Sequence, residues 1–152
     1  MDNLPLFRRY EQNYSDAVSG HYPIATKPLI LAVDDDEDNL VLLAYALEPL
    51  GCRLMTAGDG LSALSLSRAY QPDLILLDIR LPYMNGTEVL SQLKGDSKLK
   101  AIPVIAVTAL ANVKDREQLL QAGCNDYISK PYMLDDIESK VRRYLRIPAT
   151  IF

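Results

Sequence analysis

Four short apolar runs in this chain each lead into a residue that can do chemistry. LILAV is followed by Asp34, Asp35 and Asp36, LILL by Asp78, VIAV by Thr108, and YIS by Lys130. Runs this short, each followed by a stretch of helical spacing, read as strands buried on both faces, the signature of a parallel sheet covered by helices. Such a sheet delivers the carboxyl ends of its strands to one edge. Asp34, Asp35, Asp78, Thr108 and Lys130 are therefore expected to share one crevice.

The chain divides near Pro28. Residues 1–27 are polar and Tyr-rich, punctuated by Pro5, Gly20 and Pro23, and form an N-terminal extension, either flexible or packed on the surface. A short helix there would place Phe7, Tyr10 and Tyr14 at helical spacing. From Pro28 the pattern predicts strands at 29–33, 53–57, 73–77, 102–107 and 127–129. Helices are expected at 39–50 (capped by Asp38), 61–70 (opened by Asp59), 87–94, 113–122 and 134–146. Five strand and helix alternations with right-handed crossovers give a doubly wound, three-layer α/β/α sandwich over 28–146, followed by a short tail at 147–152. In such a sheet ligands sit at the topological switch point, between the first and third strands, where Asp34, Asp35 and Asp78 lie.

Composition narrows the function. A length of 152 residues with 49% apolar and 24% charged residues suits one globular domain. A net charge of -4 argues against nucleic acid as partner, and no apolar run approaches the ~18 residues of a membrane span. Arg8 and Arg9 are followed by no apolar core, so a signal peptide is not expected and a cytoplasmic location is. Cys52 and Cys124 lack metal or redox spacing and are expected to be reduced thiols. His21, the single histidine, lies in the polar extension, which leaves no basis for Ser/His/Asp, Cys/His or His-ligated zinc chemistry.

What remains is acid, hydroxyl and amine at one sheet edge. Each residue has an ordinary explanation: Asp34 to Asp36 as an acidic turn with a helix cap, Thr108 and Tyr127 as strand-end residues, Lys130 as a solvated strand end. Asp78 fits such an explanation least, because it closes the apolar run LILL, where a carboxylate is partly desolvated. Clustered carboxylates repel by about 4 kcal/mol per pair at about 4 Å and an effective dielectric near 20, a cost that a hard divalent cation removes. The coincidence of these groups at one edge points to a Mg²⁺-dependent site that accepts a phosphoryl group.

The segments VDDD, LLDIRLPYMNG, VTALA and YISKP resemble the receiver domains of two-component response regulators, over about residues 29–146. GLSALSLSRAYQPDLILLDIRLP and AGCNDYISKP are similar to stand-alone receivers of the DivK type. The resemblance implies a flavodoxin-like, CheY-like five-stranded parallel sheet of order 2-1-3-4-5. It implies Asp78 as phosphoacceptor, Asp35 as direct Mg²⁺ ligand, and Asp34 acting mainly through a metal-bound water. Asp78 itself and the backbone carbonyl of Arg80 would complete the protein's share of the coordination, with Mn²⁺ as a substitute ion. Lys130 would pair with the phosphoryl group, Ala109 would leave room for the donor, and Lys130–Pro131 would be the cis peptide bond usual in receivers.

Signalling would follow from a coupled movement. Thr108 would hydrogen-bond the acyl phosphate and vacate space into which Tyr127 turns, from an exposed to a buried rotamer. Reversing a 99 to 1 population takes roughly 5.5 kcal/mol of differential interaction. The donor would be a histidine kinase or a histidine phosphotransfer protein. The downstream protein would bind the face of the fourth helix, fifth strand and fifth helix, and the resemblance leaves both a monomer and a helix-face homodimer open. Arg80 and Leu110, two positions beyond Asp78 and Thr108, depart from residues that would orient a hydrolytic water, so slow self-dephosphorylation is expected. With only RIPATIF after the last helix, output is expected to come from binding. An alternative reading is a phosphorylation-independent interaction module working through Phe7, Tyr10, Tyr14 and Tyr22 of the extension and Ile147, Ile151 and Phe152 of the tail. A phosphatase of the haloacid-dehalogenase kind would need a second Asp where Arg80 stands.

Overall fold

The structure, a computed structural model, describes residues 27–109 and 112–147. The extension at 1–26 with its expected helix, Leu110, and the tail at 148–152 lie outside the described residues. In chain order the elements are β1 (Leu29–Val33), α1 (Glu37–Leu47), β2 (Arg53–Ala57), α2 (Gly60–Tyr70), β3 (Leu74–Asp78), α3 (Gly86–Gly95), β4 (Val104–Thr108), α4 (Val113–Gln121), β5 (Asp126–Ser129) and α5 (Leu134–Leu145). All strand pairs are parallel and the sheet order is β2-β1-β3-β4-β5. The doubly wound sandwich expected from the sequence is the fold.

Successive side chains of a strand leave opposite faces of the sheet, so one run of apolar residues feeds two cores. Leu31 and Val33 of β1, Ile75 and Leu77 of β3, and Val104 and Ala106 of β4 pack under Leu64 of α2, Val89, Leu90 and Leu93 of α3, and Leu119 of α4. Ile30, Ala32, Leu74, Leu76, Ile105, Val107 and Ile128 pack under Leu40, Leu43 and Leu47 of α1 and Ile137 and Val141 of α5. β1, β3 and β4 are buried along their whole length, which is why they show no polar alternation. Among the described residues, no helix is long and apolar enough to cross a membrane.

Several boundaries differ from expectation for local reasons. The cap of α1 is Asp36, not Asp38: Asp36 is extended (φ -97, ψ 109) and its carboxylate accepts from the Asp38 N–H, which leaves Glu37 and Asp38 in the first turn, where the helix dipole favours them. α1 ends at Leu47, and Glu48–Leu50 tighten into a 3-10 turn around Pro49 that Gly51 closes at φ 67. β4 starts at Val104, two residues late. Pro103 has no N–H for the ladder, and that of Ile102 is spent on the Leu99 carbonyl. Asp73 lies just outside β3, its carboxylate accepting from the Leu29 N–H at 2.7 Å, and so ties the two strands at the end opposite the crevice.

Candidate functional site

Asp34 directly follows β1, Asp78 ends β3, Thr108 ends β4, and Lys130 directly follows β5. Asp34 and Thr108 are buried, as is Asp78. Asp35 is exposed at the rim. Carboxylate oxygens of Asp34, Asp35 and Asp78 all lie within 4.8 Å of one another. The Lys130 ammonium reaches between two of them, donating to Asp78 Oδ2 at 3.1 Å and to Asp34 Oδ2 at 3.2 Å. The parallel sheet thus brings together groups 96 and 52 positions apart in sequence.

Each group is held by short local contacts. Asp34 Oδ1 accepts from the Asp36 N–H at 2.9 Å, and Oδ2 also accepts from the Asn39 side chain at 3.2 Å. Arg80, expected to offer its carbonyl, meets the site through its backbone N–H, which donates to Asp78 Oδ1 at 3.0 Å. The Lys130 N–H donates to the Thr108 carbonyl at 2.8 Å, fixing the lysine against the end of β4. Ala109 beyond it is exposed and small. Gly86 seats the start of α3 directly behind the acid: a Cβ there would come 2.6 Å from the Asp78 carbonyl and 2.5 Å from Ile79 Cα. The Lys130–Pro131 bond is cis, as expected.

Electrostatics follow from this packing. Burial pushes the Asp78 carboxyl up, and Asp34 adds to the effect, against the Arg80 N–H and Lys130, which lower it. Burial works to lower Lys130, but its hydrogen bond to Asp78 and the charges of Asp34 and Asp78 outweigh this and hold the ammonium above its ordinary value. Three carboxylates answered by the Lys130 ammonium form an oxygen-only cluster with excess negative charge. That donor set fits Mg²⁺ or Mn²⁺ and not a thiophilic metal.

Tyr127 is half-buried against the layer of α2, α3 and α4, and the Arg116 guanidinium of α4 lies 5.1 Å from its ring centre. Arg116 Nη2 also donates to Ser129 Oγ at 3.4 Å. Neither Arg116 nor Asn39 stands out in the sequence, since both are ordinary polar positions on helices. Sequence reasoning also misses Tyr132, whose only signal is a hydroxyl-bearing aromatic directly after Lys130 and Pro131.

A doubly wound sheet with an acidic crevice and a lysine at its carboxyl edge defines a class of protein, and the chain belongs to it: residues 30–142 match the response regulator receiver domain family. Receiver-domain response regulators are signalling proteins, for which phosphorylation is the expected signal and Mg²⁺ typically binds at the acidic pocket. Over 116 residues the chain is 43% identical to the polar-differentiation response regulator DivK of Brucella anthropi, covering 76% of this chain and 94% of that protein. Among solved structures it is similar to the receiver domain of the sensor histidine kinase PA1611 from Pseudomonas aeruginosa PAO1, which has a magnesium ion coordinated in the active site cleft. That match has 32% identity, a TM-score of 0.73, and covers 80% of this chain and 99% of that one. The phosphorylated cyanobacterial phytochrome response regulator RcpA is likewise similar, at 29% identity and a TM-score of 0.72, covering 82% and 98%.

Proposed function

We propose that this chain is a response regulator whose Asp78 accepts a phosphoryl group from the phosphohistidine of a histidine kinase or histidine phosphotransfer protein, in the cytoplasm and with Mg²⁺. The observation that carries this reading is the Lys130 ammonium held between Asp34 and Asp78, 3.2 and 3.1 Å away, at the mouth of the sheet. Asp34 and Asp35 would hold the ion with Asp78 and the Arg80 carbonyl, and the bound ion would neutralise charge on the phosphoryl oxygens. Asp78 Oδ2 attacks phosphorus as the bond to the imidazole nitrogen breaks, and the imidazole leaves with the electron pair. The Arg80 N–H occupies Oδ1 at 3.0 Å, which leaves Oδ2, the oxygen beside the Lys130 ammonium, as the attacking atom. Lys130 exchanges its bond to Asp78 for one to a phosphoryl oxygen. In-line transfer asks little more of a protein than this positioning and charge balance.

The acyl phosphate then offers acceptor oxygens to the Thr108 hydroxyl, and the shift of Thr108 is relayed to Tyr127 across β4 and β5. A downstream protein reads the changed face of α4, β5 and α5. The test is incubation with Mg²⁺ and acetyl phosphate followed by intact-mass measurement. Wild type is expected to gain one phosphoryl group while Asp78→Asn and metal-free wild type gain none. A gain by Asp78→Asn equal to wild type would remove Asp78 from its role, and no gain by either would favour a phosphorylation-independent interaction module.

A further inference from the structure

Asn39 touches the acid cluster and has no part in the roles above. Its side-chain amide, half-buried in the first turn of α1, donates to Asp34 Oδ2 at 3.2 Å. The Lys130 ammonium donates to the same oxygen, also at 3.2 Å, and the Asp36 N–H holds Oδ1 at 2.9 Å. Two side chains of different kinds thus share one oxygen of a carboxylate in the acid cluster. The ammonium is charged, rides on a flexible stem, and also bonds Asp78 at 3.1 Å. The amide is neutral, and its short side chain leaves a helix that Leu40 and Leu43 anchor in the core. Asparagine forms helix less readily than alanine, so the needs of α1 do not account for it.

We propose that Asn39 is a positioning residue for the cation site: it keeps the Asp34 carboxylate oriented once a divalent ion has loosened the Lys130 ammonium from it. A dication entering among Asp34, Asp35 and Asp78 repels the ammonium, and an arriving phosphoryl group offers it another partner, so Lys130 is not the donor that holds Asp34 in the loaded site. The amide carries no charge for the ion to repel. An aspartate at position 39 would add a further carboxylate to the cluster, and a lysine would add a second cation in competition with the metal. This inference rests on the phosphoacceptor reading above. Groups that hold a metal's ligands from behind are worth about 10- to 100-fold in affinity.

The test is calorimetric titration of the full-length chain with MgCl₂. Asn39→Ala is expected to bind Mg²⁺ about 10-fold more weakly than wild type. Ala46→Gly loosens the same helix at a buried position that carries no polar side chain, and is expected to melt at a lower temperature without metal yet to bind Mg²⁺ as wild type does. The loss on Asn39→Ala is expected to persist when Lys130→Met is already present. Equal affinities of Asn39→Ala and wild type would overturn the proposal. So would a loss in Ala46→Gly that matches the one in Asn39→Ala, because the helix as a whole would then be responsible. A loss that disappears beside Lys130→Met would overturn it too, because Asn39 would then act only through the lysine. Failure of wild type to bind Mg²⁺ would overturn the phosphoacceptor reading and this inference with it.

Discussion

Asp78 and Lys130 meet at 3.1 Å with opposite demands on their protons. A carboxyl whose pKa is higher in the folded chain than its ordinary 3.8 contributes stability that is fully present below 3.8 and is lost as pH rises through the folded value. Asp78→Asn removes that loss. In metal-free protein the variant is therefore expected to gain on wild type as pH climbs out of the acid range and to hold a constant advantage above it. That advantage amounts to about 1.4 kcal/mol for every tenfold by which folding weakens the acid. Urea unfolding of both proteins across pH checks this, and a variant less stable than wild type at neutral pH would contradict it. Asp34, Asp35, Asp78, Thr108 and Lys130 are legible in the sequence because polar residues that end apolar runs have one place to go in a parallel sheet. Tyr132 is not, because its burial depends on where the chain turns after Lys130 and Pro131, and no periodicity encodes that path. Nor does a row of acids, Asp34 to Asp38, disclose that Asp36 is the cap, since every acid in the row suits the position chemically.

At the scale of elements, α4 and β5 are joined by a contact on the face proposed above for the downstream protein. Arg116 lies over the Tyr127 ring and reaches Ser129 on the same strand, so the ring is held half-buried from the helix side. A cation over an aromatic face is worth about 0.5–1 kcal/mol where partly solvated. Arg116→Met keeps most of the packing and removes the charge, and is expected to cost that much stability. A double-mutant cycle with Tyr127→Leu should recover a coupling of the same size, and a coupling of zero would show that the two side chains are merely adjacent. Element type and order are readable throughout, because five apolar runs alternate with helical spacing. The ends are less so: Pro103 delays β4 and Pro49 turns the last residues of the first helix into a tighter coil, effects of single missing N–H groups that a pattern of apolar residues does not register.

The described residues form two cores sharing one sheet, and each core encloses one thiol. Cys52 belongs to the layer of α1 and α5 and Cys124 to the layer of α2, α3 and α4. Burial pushes them up to about 12 and about 11, with Asp73 and Asp126 adding to it. Neither thiol should react appreciably with a thiolate-seeking reagent near neutral pH while the chain is folded, and both should react within seconds in denaturant. Peptide-resolved labelling checks this, and fast labelling of the native protein would contradict the burial. The arrangement supplies two built-in clocks, one per layer, which run only when their own side opens. If phosphorylation loosens the region around β4 and β5, the clock at Cys124 should quicken while the one at Cys52 keeps its pace, and the route of the signal through the molecule could be timed without adding a probe.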